Sequence, residues 1–569
     1  MNSFPHNSEY ANTLPSPGIT PVGSIITTEA PTNLRVRQPP ATVRYLQMAK
    51  KYAAYIGPGI LISVGFLDAG NFSTAVAAGS LHRYKLLFSM LVSNIMAAIF
   101  QILAAKLGIV TGIDLATNCK VNLSPNLNIF LYVLTEISIV ATDLAEIVGT
   151  AISLNILFNI PLLIGVILTI VDVLIVLKYY NPQTGDMRVV RIFEMIVSVF
   201  VFLTVICFAV ELMEVDIGSY KELFQGFLPS STVVEGDGLY LSLSIAGATI
   251  MPSSLFLGSG LVQARIRDYD VQKGHYSYTE EDEEANFENY RPTLEAVKQG
   301  YNYTIIELLV SLFTIALFVN CSILVVAGAS LHEKEAINDA DLFSIYDILC
   351  STLNKTAGTI FALALLFSGL CGGFTTTLTS QKVSEGFLNW KISPGVRRSV
   401  TRAVAVLPCL ILVFVAGRQG LSAALNASQV ILSLLLPFVS APLIYFTCNK
   451  KIMRVKRTKS TEKSVVRHDA DTFELRDLKM VKKSSAQVAS FSNDLGKATE
   501  NRLLSSNDNT SASSDRDDLP IVDESSDEEY EDMSNSMLMT VCSVFLWITI
   551  TLLNAYLLVS FSLGKDVSL

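Results

Sequence analysis

A carboxylate, a glycine and a carboxamide interrupt an apolar stretch that runs from about Tyr55 to Ala78, in the order Asp68-Ala69-Gly70-Asn71. Charged and strongly polar groups at bilayer depth are costly and persist mainly where they line a pathway or a site. A second apolar stretch is broken by Ala248-Thr249-Ile250-Met251-Pro252-Ser253-Ser254. Two broken hydrophobic segments in corresponding positions of two halves mark the midplane site of a secondary transporter. Gly70 lets the backbone unwind, so Asp68 and Asn71 can face one cavity. Pro252 has no amide proton and crowds the preceding turn, which frees the Ala248 carbonyl from its helical bond. The two breaks therefore offer the Asp68 carboxylate, the Asn71 carboxamide, the Ala248 carbonyl and the Met251 thioether. Gln429, in a later apolar stretch, adds one more oxygen. Oxygens with one soft sulfur suit Mn²⁺ or Fe²⁺, whereas an all-oxygen shell selects Ca²⁺ or Mg²⁺. Two alternatives stay open: Met251 as core filler, and Gln429 as glue between helices.

The ionisable residues inside apolar stretches are nearly all acids: Asp68, Glu136, Asp143, Glu146, Asp172, Glu194 and Glu307. Lysines and arginines lie at segment ends, where long side chains snorkel to the interface. An acid-lined interior favours a cationic substrate over an anion. Glu136, Asp143 and Glu146 fall on one face of a single helix by their spacing. A buried row of carboxylates is suited to relay protons, the alternative being a structural network with Thr135, Thr142 or an arginine. Arg397, Arg398 and Arg402 either pair with that relay or mark a cytosolic helix end.

Composition predicts the elements that must position these groups. Half of the residues are apolar and 16% are charged, with a positive mean hydropathy, which excludes an ordinary soluble domain. The net charge of −9 comes largely from polar segments, Glu280–Glu288 and Asp515–Asp532. Apolar stretches long enough to span occur at about 54–78, 85–109, 128–152, 161–178, 190–212, 239–262, 302–329, 357–383, 399–417, 425–447 and 536–561. Basic residues before the first stretch (Arg35, Arg37, Arg44, Lys50, Lys51) place the N-terminus in the cytosol. His82, Arg83 and Lys85 break the trend by putting basic residues in the first outer loop. Asn354-Lys355-Thr356 is a glycosylation sequon on the predicted outer side. The expected organisation is a disordered cytosolic tail (1–50), a ten-helix core (51–448), a disordered cytosolic insert (449–535) and an eleventh helix with a short lumenal tail (536–569). The ten core helices divide into five plus five with the breaks in the first helix of each set, the leucine-transporter-like inverted repeat.

The eight cysteines are scattered without a CxxC pair, so neither a disulfide framework nor a zinc site is expected. No GxxxxGK[ST] loop or catalytic constellation occurs, which argues against an ATP-driven pump and against an enzyme. The tails and insert are where trafficking or ubiquitination machinery would bind. Nothing points to nucleic acid.

The segments GPGILISVGFLDAGNFSTAVAAGS, ATDLAEIVGTAISLNILF, GATIMPSSLFLGSGLVQ and LNASQVILSLLLPF resemble Nramp divalent-metal transporters, above all the fungal intracellular manganese branch of that family. The resemblance implies metal ligands at Asp68, Asn71, Ala248 and Met251, with Gln429 contributing, and proton-route acids at Glu136, Asp143 and Glu146. It further implies proton-coupled entry of Mn²⁺, with Fe²⁺ as a further substrate, into the cytosol from an endomembrane compartment, with no cofactor. A transport-weakened paralogue acting as a metal sensor is the alternative. Three departures stand out. Ala69 replaces the family's proline, Ser253 replaces a histidine tied to gating and proton movement, and Leu370 sits where relatives often carry glutamine.

Overall fold

The computed structural model describes residues 62–63, 65–179, 187–276, 290–332, 342–352, 354–388, 394–457 and 529–563. All of them belong to one compact unit, 55–569.

Apolar runs set the helices. α1 (Ala69–His82) starts at the first break, followed by α2 (Leu87–Thr111), the short α3 (Leu115–Asn122), α4 (Pro125–Phe158), α5 (Leu162–Tyr179), α6 (Met187–Glu214) and the short α7 (Tyr220–Gln225). α8 (Gly236–Ile250) and α9 (Pro252–Gln272) are two halves of one span, parted at Met251. α10 (Leu294–Ser311) runs through a π-helical turn into α11 (Leu317–Ser330). α12 (Leu342–Thr352), α13 (Lys355–Leu388), α14 (Pro394–Cys448) and α15 (Met537–Ser562) complete the order. Inside α14 the chain leaves helical geometry at Gly417 (φ 58°), which separates the expected ninth and tenth spans.

Among the described residues, seven helices are long and apolar enough to cross a membrane, the α8–α9 and α10–α11 pairs each counting once. The expected spans from 85 onward each overlap a helix, with the α8–α9 pair, the α10–α11 pair, α4 and α13 running several residues beyond the expected ends, while the first half of the 54–78 stretch lies largely outside the described residues. α12 was not expected. At 11 residues it is too short to span, so hydropathy passes over it, yet it buries Leu342, Ile345 and Leu349 in the core.

α4 packs along α13 and α14, α1 along α11, and α8 against α1, α2 and α14. The two broken segments thus meet inside a frame of unbroken helices. The polar insert opens and closes in a two-stranded antiparallel ribbon, β1 (Arg454–Lys456) with β2 (Tyr530–Asp532). Lys106 Nζ of α2 donates to the Ser534 carbonyl and to Asn535 Oδ1, each at 3.0 Å. Met453 and Val455 are buried beneath the ribbon. Both ends of the insert are therefore anchored to the helical body, a pairing across some 75 residues that local sequence does not announce.

Candidate metal site at the two broken helices

Asp68 is the N-cap of α1. Its Oδ1 accepts from the Asn71 backbone N–H at 2.8 Å, in the geometry that satisfies an orphan donor of a first helical turn. The same oxygen accepts from Asn71 Nδ2 at 2.8 Å, and that amide also donates to the Ala248 carbonyl at 3.2 Å. Two oxygens, one from each break, therefore converge on the Asn71 side chain. Asp68, Asn71 and Ala248 are fully buried.

Local sequence explains this meeting. The helical partner of the Ala248 carbonyl would be the amide of residue 252, which in proline does not exist. Met251 takes φ 45° and ψ 100°, outside helical space, while α9 starts on Pro252 as its first residue. Two glycines permit the close approach of the tenth span. A Cβ on Gly70 would lie 2.2 Å from Gln429 Nε2, and one on Gly247 only 2.0 Å from the Gln429 carbonyl oxygen. Gln429 is thereby pressed against both breaks.

Two oxygens in this cluster are buried without a hydrogen-bond partner: Asp68 Oδ2 and Gln429 Oε1. Buried acceptors are normally satisfied, and an unpaired carboxylate oxygen beside an unpaired amide oxygen suits a cation. One carboxylate and several neutral oxygens make up the set. Among the described residues no group of three or more His, Cys, Asp or Glu could hold a metal, so this site differs from a carboxylate cage.

Met251 is 4% exposed and packs with Ala141 and Leu432, while a Cβ on Gly65 would lie 3.7 Å from its Sδ. Its thioether therefore lies against the chain at Gly65, shortly before Asp68.

Glu136, Asp143 and Glu146 all lie on α4, Asp143 and Glu146 fully buried and Glu136 half-buried. Glu146 Oε1 accepts from the Thr376 hydroxyl of α13. Ala141 touches Met251, and Gly149 meets Ala69 so closely that a Cβ there would lie 2.1 Å from the Ala69 Cβ. Asp143 and Glu146 are bracketed by these contacts, so they stand level with the broken helices. A rise of 1.5 Å per residue puts Glu136 about 10 Å along the axis from Asp143 and about 15 Å from Glu146.

Other expected acids take different places. Glu307 lies 4.0 Å from Arg265 in an ion pair, 11% and 20% exposed, so it belongs to a structural pair away from the breaks. The side chains of Asp172, Glu194, Arg397, Arg398 and Arg402 lie outside the described residues. Ser253 is buried at the start of α9, and Leu370 is half-buried on α13. Asn354 caps α13, its Oδ1 accepting from the Ala357 N–H at 2.8 Å, which gives this sequon asparagine a structural use.

Several contributors escaped the sequence reading. Thr249 Oγ1 donates to Asn71 Oδ1 at 3.4 Å. The carbonyls released by unwinding before α1 are held from other helices: Phe66 by Asn320 Nδ2 at 3.0 Å, and Leu67 by the Ser368 hydroxyl. Glu211, 1% exposed on α6 with neither carboxylate oxygen hydrogen-bonded, is a further buried acid. Its place near the end of an expected span hid it among interfacial residues. Small polar side chains in membrane helices carry no positional signal of their own, since most simply bond the preceding turn.

The profile of the family described as natural resistance-associated macrophage protein-like, Nramp, matches residues 59–466. The chain belongs to the Nramp family. It is similar to the manganese transporter SMF2 of Saccharomyces cerevisiae, 55% identical over 91% of this chain and 90% of that protein. The iron transporter SMF3 of the same organism is 45% identical over 92% of this chain and 99% of its own length. Among solved structures, a manganese transporter of Eremococcus coleocola matches with a TM-score of 0.60 at 26% identity, covering 94% of this chain and 97% of that one. Helix order and likeness together make this Nramp chain an all-α membrane protein of the leucine-transporter-like type. Its relatives are named as transporters, and the chain is not an enzyme.

Proposed function

We propose that this chain carries Mn²⁺, and Fe²⁺ as a second substrate, across a membrane into the cytosol, with the ion bound between Asp68, Asn71, Ala248, Met251 and Gln429. The observation that carries this is the convergence of the Asp68 carboxylate and the Ala248 carbonyl on one Asn71 amide, 2.8 and 3.2 Å away, beside two buried oxygens without hydrogen bonds. A half-turn of the Asn71 amide brings its oxygen to the side where its nitrogen now sits, so the three oxygens can share one cation. A single carboxylate balances part of a divalent charge and leaves the ion able to depart, as conduction requires. The relatives named as manganese and iron transporters support the same substrates.

Proton coupling through Asp143, Glu146 and Glu136 belongs to the proposal, resting on the line of acids that begins level with the breaks. Proteoliposomes given Mn²⁺, Fe²⁺ and Ca²⁺ at two external pH values test the whole. Saturable Mn²⁺ uptake that carries protons supports it, whereas metal binding without flux would favour the sensor alternative.

Two narrower outcomes follow. Met251→Ala should weaken Mn²⁺ uptake only modestly while admitting Ca²⁺ or Mg²⁺, because softness is what the sulfur contributes. Competition of Ca²⁺ against Mn²⁺ measures this. Exclusion of Ca²⁺ as in the parent would return Met251 to its packing role with Ala141 and Leu432. Ser253→His should steepen the pH dependence of uptake near neutrality, where imidazole titrates and serine does not. The metal preference should stay the same, since residue 253 lies outside the ligand set. Equal pH profiles and proton-to-metal ratios in both forms would leave coupling to the α4 acids alone.

A further inference from the structure

At the opposite end of α1 from the metal site, a cavity of about 400 Å³ lies between the α1 C-terminus, the segment after α7 and the residue that follows α11. Its polar lining is His82, Arg83, Lys85, Glu222, Ser230 and His332, with Gln225 beside them. A 14-residue helix separates it from Asp68, about 20 Å at 1.5 Å per residue. The cavity therefore belongs to a different place from the site above. It also accounts for His82, Arg83 and Lys85, the basic cluster that breaks the loop-charge pattern.

Two polar atoms on its wall, His82 Nε2 and Ser230 Oγ, are buried without a hydrogen-bond partner. Glu222, the carboxylate among the described lining residues, is engaged by Arg83 at 2.7 Å. Arg83 also lies over the Tyr84 ring at 5.2 Å and holds φ 53°, a left-handed conformation unusual for a long side chain. His332 Nδ1 sits 2.9 Å from the Ser80 carbonyl. A carbonyl only accepts, so Nδ1 carries the proton.

The geometry points to a binding pocket for a small phosphate-class oxyanion, held by the Ser230 hydroxyl, the His82 ring and the Lys85 ammonium. All three can donate, and charge-assisted donation to an oxyanion is strong. Arg83 neutralises Glu222, which leaves Lys85 as the net positive charge of the lining. The uncompensated Lys85 ammonium and the paired state of Glu222 disfavour a metal ion. Leu81 and Leu228, exposed at the rim by 37% and 62%, leave two sources for the phosphate: the free ion, or the headgroup of an anionic lipid.

The full chain in nanodiscs separates these. One arm uses phosphatidylcholine alone and titrates inorganic phosphate by calorimetry. The other adds phosphatidic acid without free phosphate and reads retained lipid by native mass spectrometry. Saturable binding is expected in one arm, falling at least about tenfold, roughly 1.4 kcal/mol, in both Lys85→Gln and Ser230→Ala. Thermal unfolding and Mn²⁺ uptake should stay at parent values, because neither residue belongs to the transport site. Binding in neither arm overturns the proposal, as does binding that both variants leave intact. So does Mn²⁺ binding that these variants abolish, which would make the pocket a cation site.

Discussion

Asp68→Ala should reduce Mn²⁺ uptake by about two orders of magnitude or more, while the protein still folds and inserts. The carboxylate is the only formal charge in the proposed ligand set, and a charged partner of this kind contributes about 3 kcal/mol, a factor of ~100. No neighbour replaces it: Asn71, Ala248 and Gln429 supply neutral oxygens, and Glu146 is engaged by Thr376 on α13. Asp68 has a second task, however. It caps α1, and loss of a cap costs about 1 kcal/mol, so an alanine variant alone mixes two effects. Asp68→Asn separates them, because asparagine caps a helix about as well as aspartate but carries no charge. Both variants should be transport-dead in proteoliposomes, with the asparagine form unfolding at close to the parent temperature. Substantial uptake by Asp68→Asn would show that residue 68 serves the helix and that the metal is held elsewhere.

The first break is visible in the sequence because its signal is local: a carboxylate and a carboxamide stand where lipid-facing chemistry forbids them. The second is visible for another local reason. Proline at 252 must release the carbonyl at 248, and the Ala248 oxygen does bond outside its helix. What the sequence conceals is decided between helices. Asn320 and Ser368 hold the unwound carbonyls of Phe66 and Leu67 from two other spans, yet neither residue differs in kind from the many Asn and Ser that bond within their own helix. The position of Met251 among Ala141, Leu432 and Gly65 likewise depends on three separate segments. The basic cluster at His82–Lys85 was legible as an exception to a charge rule, but the cavity that gives it meaning is built with residues more than 130 positions later, such as Glu222 and Ser230.

Gly149→Ala is expected to damage both the stability of this core and the site beside it. A Cβ there would lie 2.1 Å from the Ala69 Cβ and 3.6 Å from its Cα. Neither carbon can be moved by changing a rotamer, so α4 and the start of α1 must separate by more than an ångström. Overpacking of this kind typically costs about 1–3 kcal/mol. The damage also reaches function, because the displaced residue adjoins Asp68 and the displaced helix carries Asp143 and Glu146. Mn²⁺ uptake should fall about tenfold or more, with a lowered unfolding temperature. Ala69→Gly removes the obstructing carbon, at a cost near 1 kcal/mol for glycine in a helix. The double variant should recover much of both stability and uptake, so that the two changes are far from additive. If α4 and α1 are in contact through these two carbons alone, glycine at 69 restores the site around an alanine at 149. A double variant as impaired as the sum of its parts would place the obstruction elsewhere, and the fit of Ala69 to Gly149 would then have no part in setting the metal site.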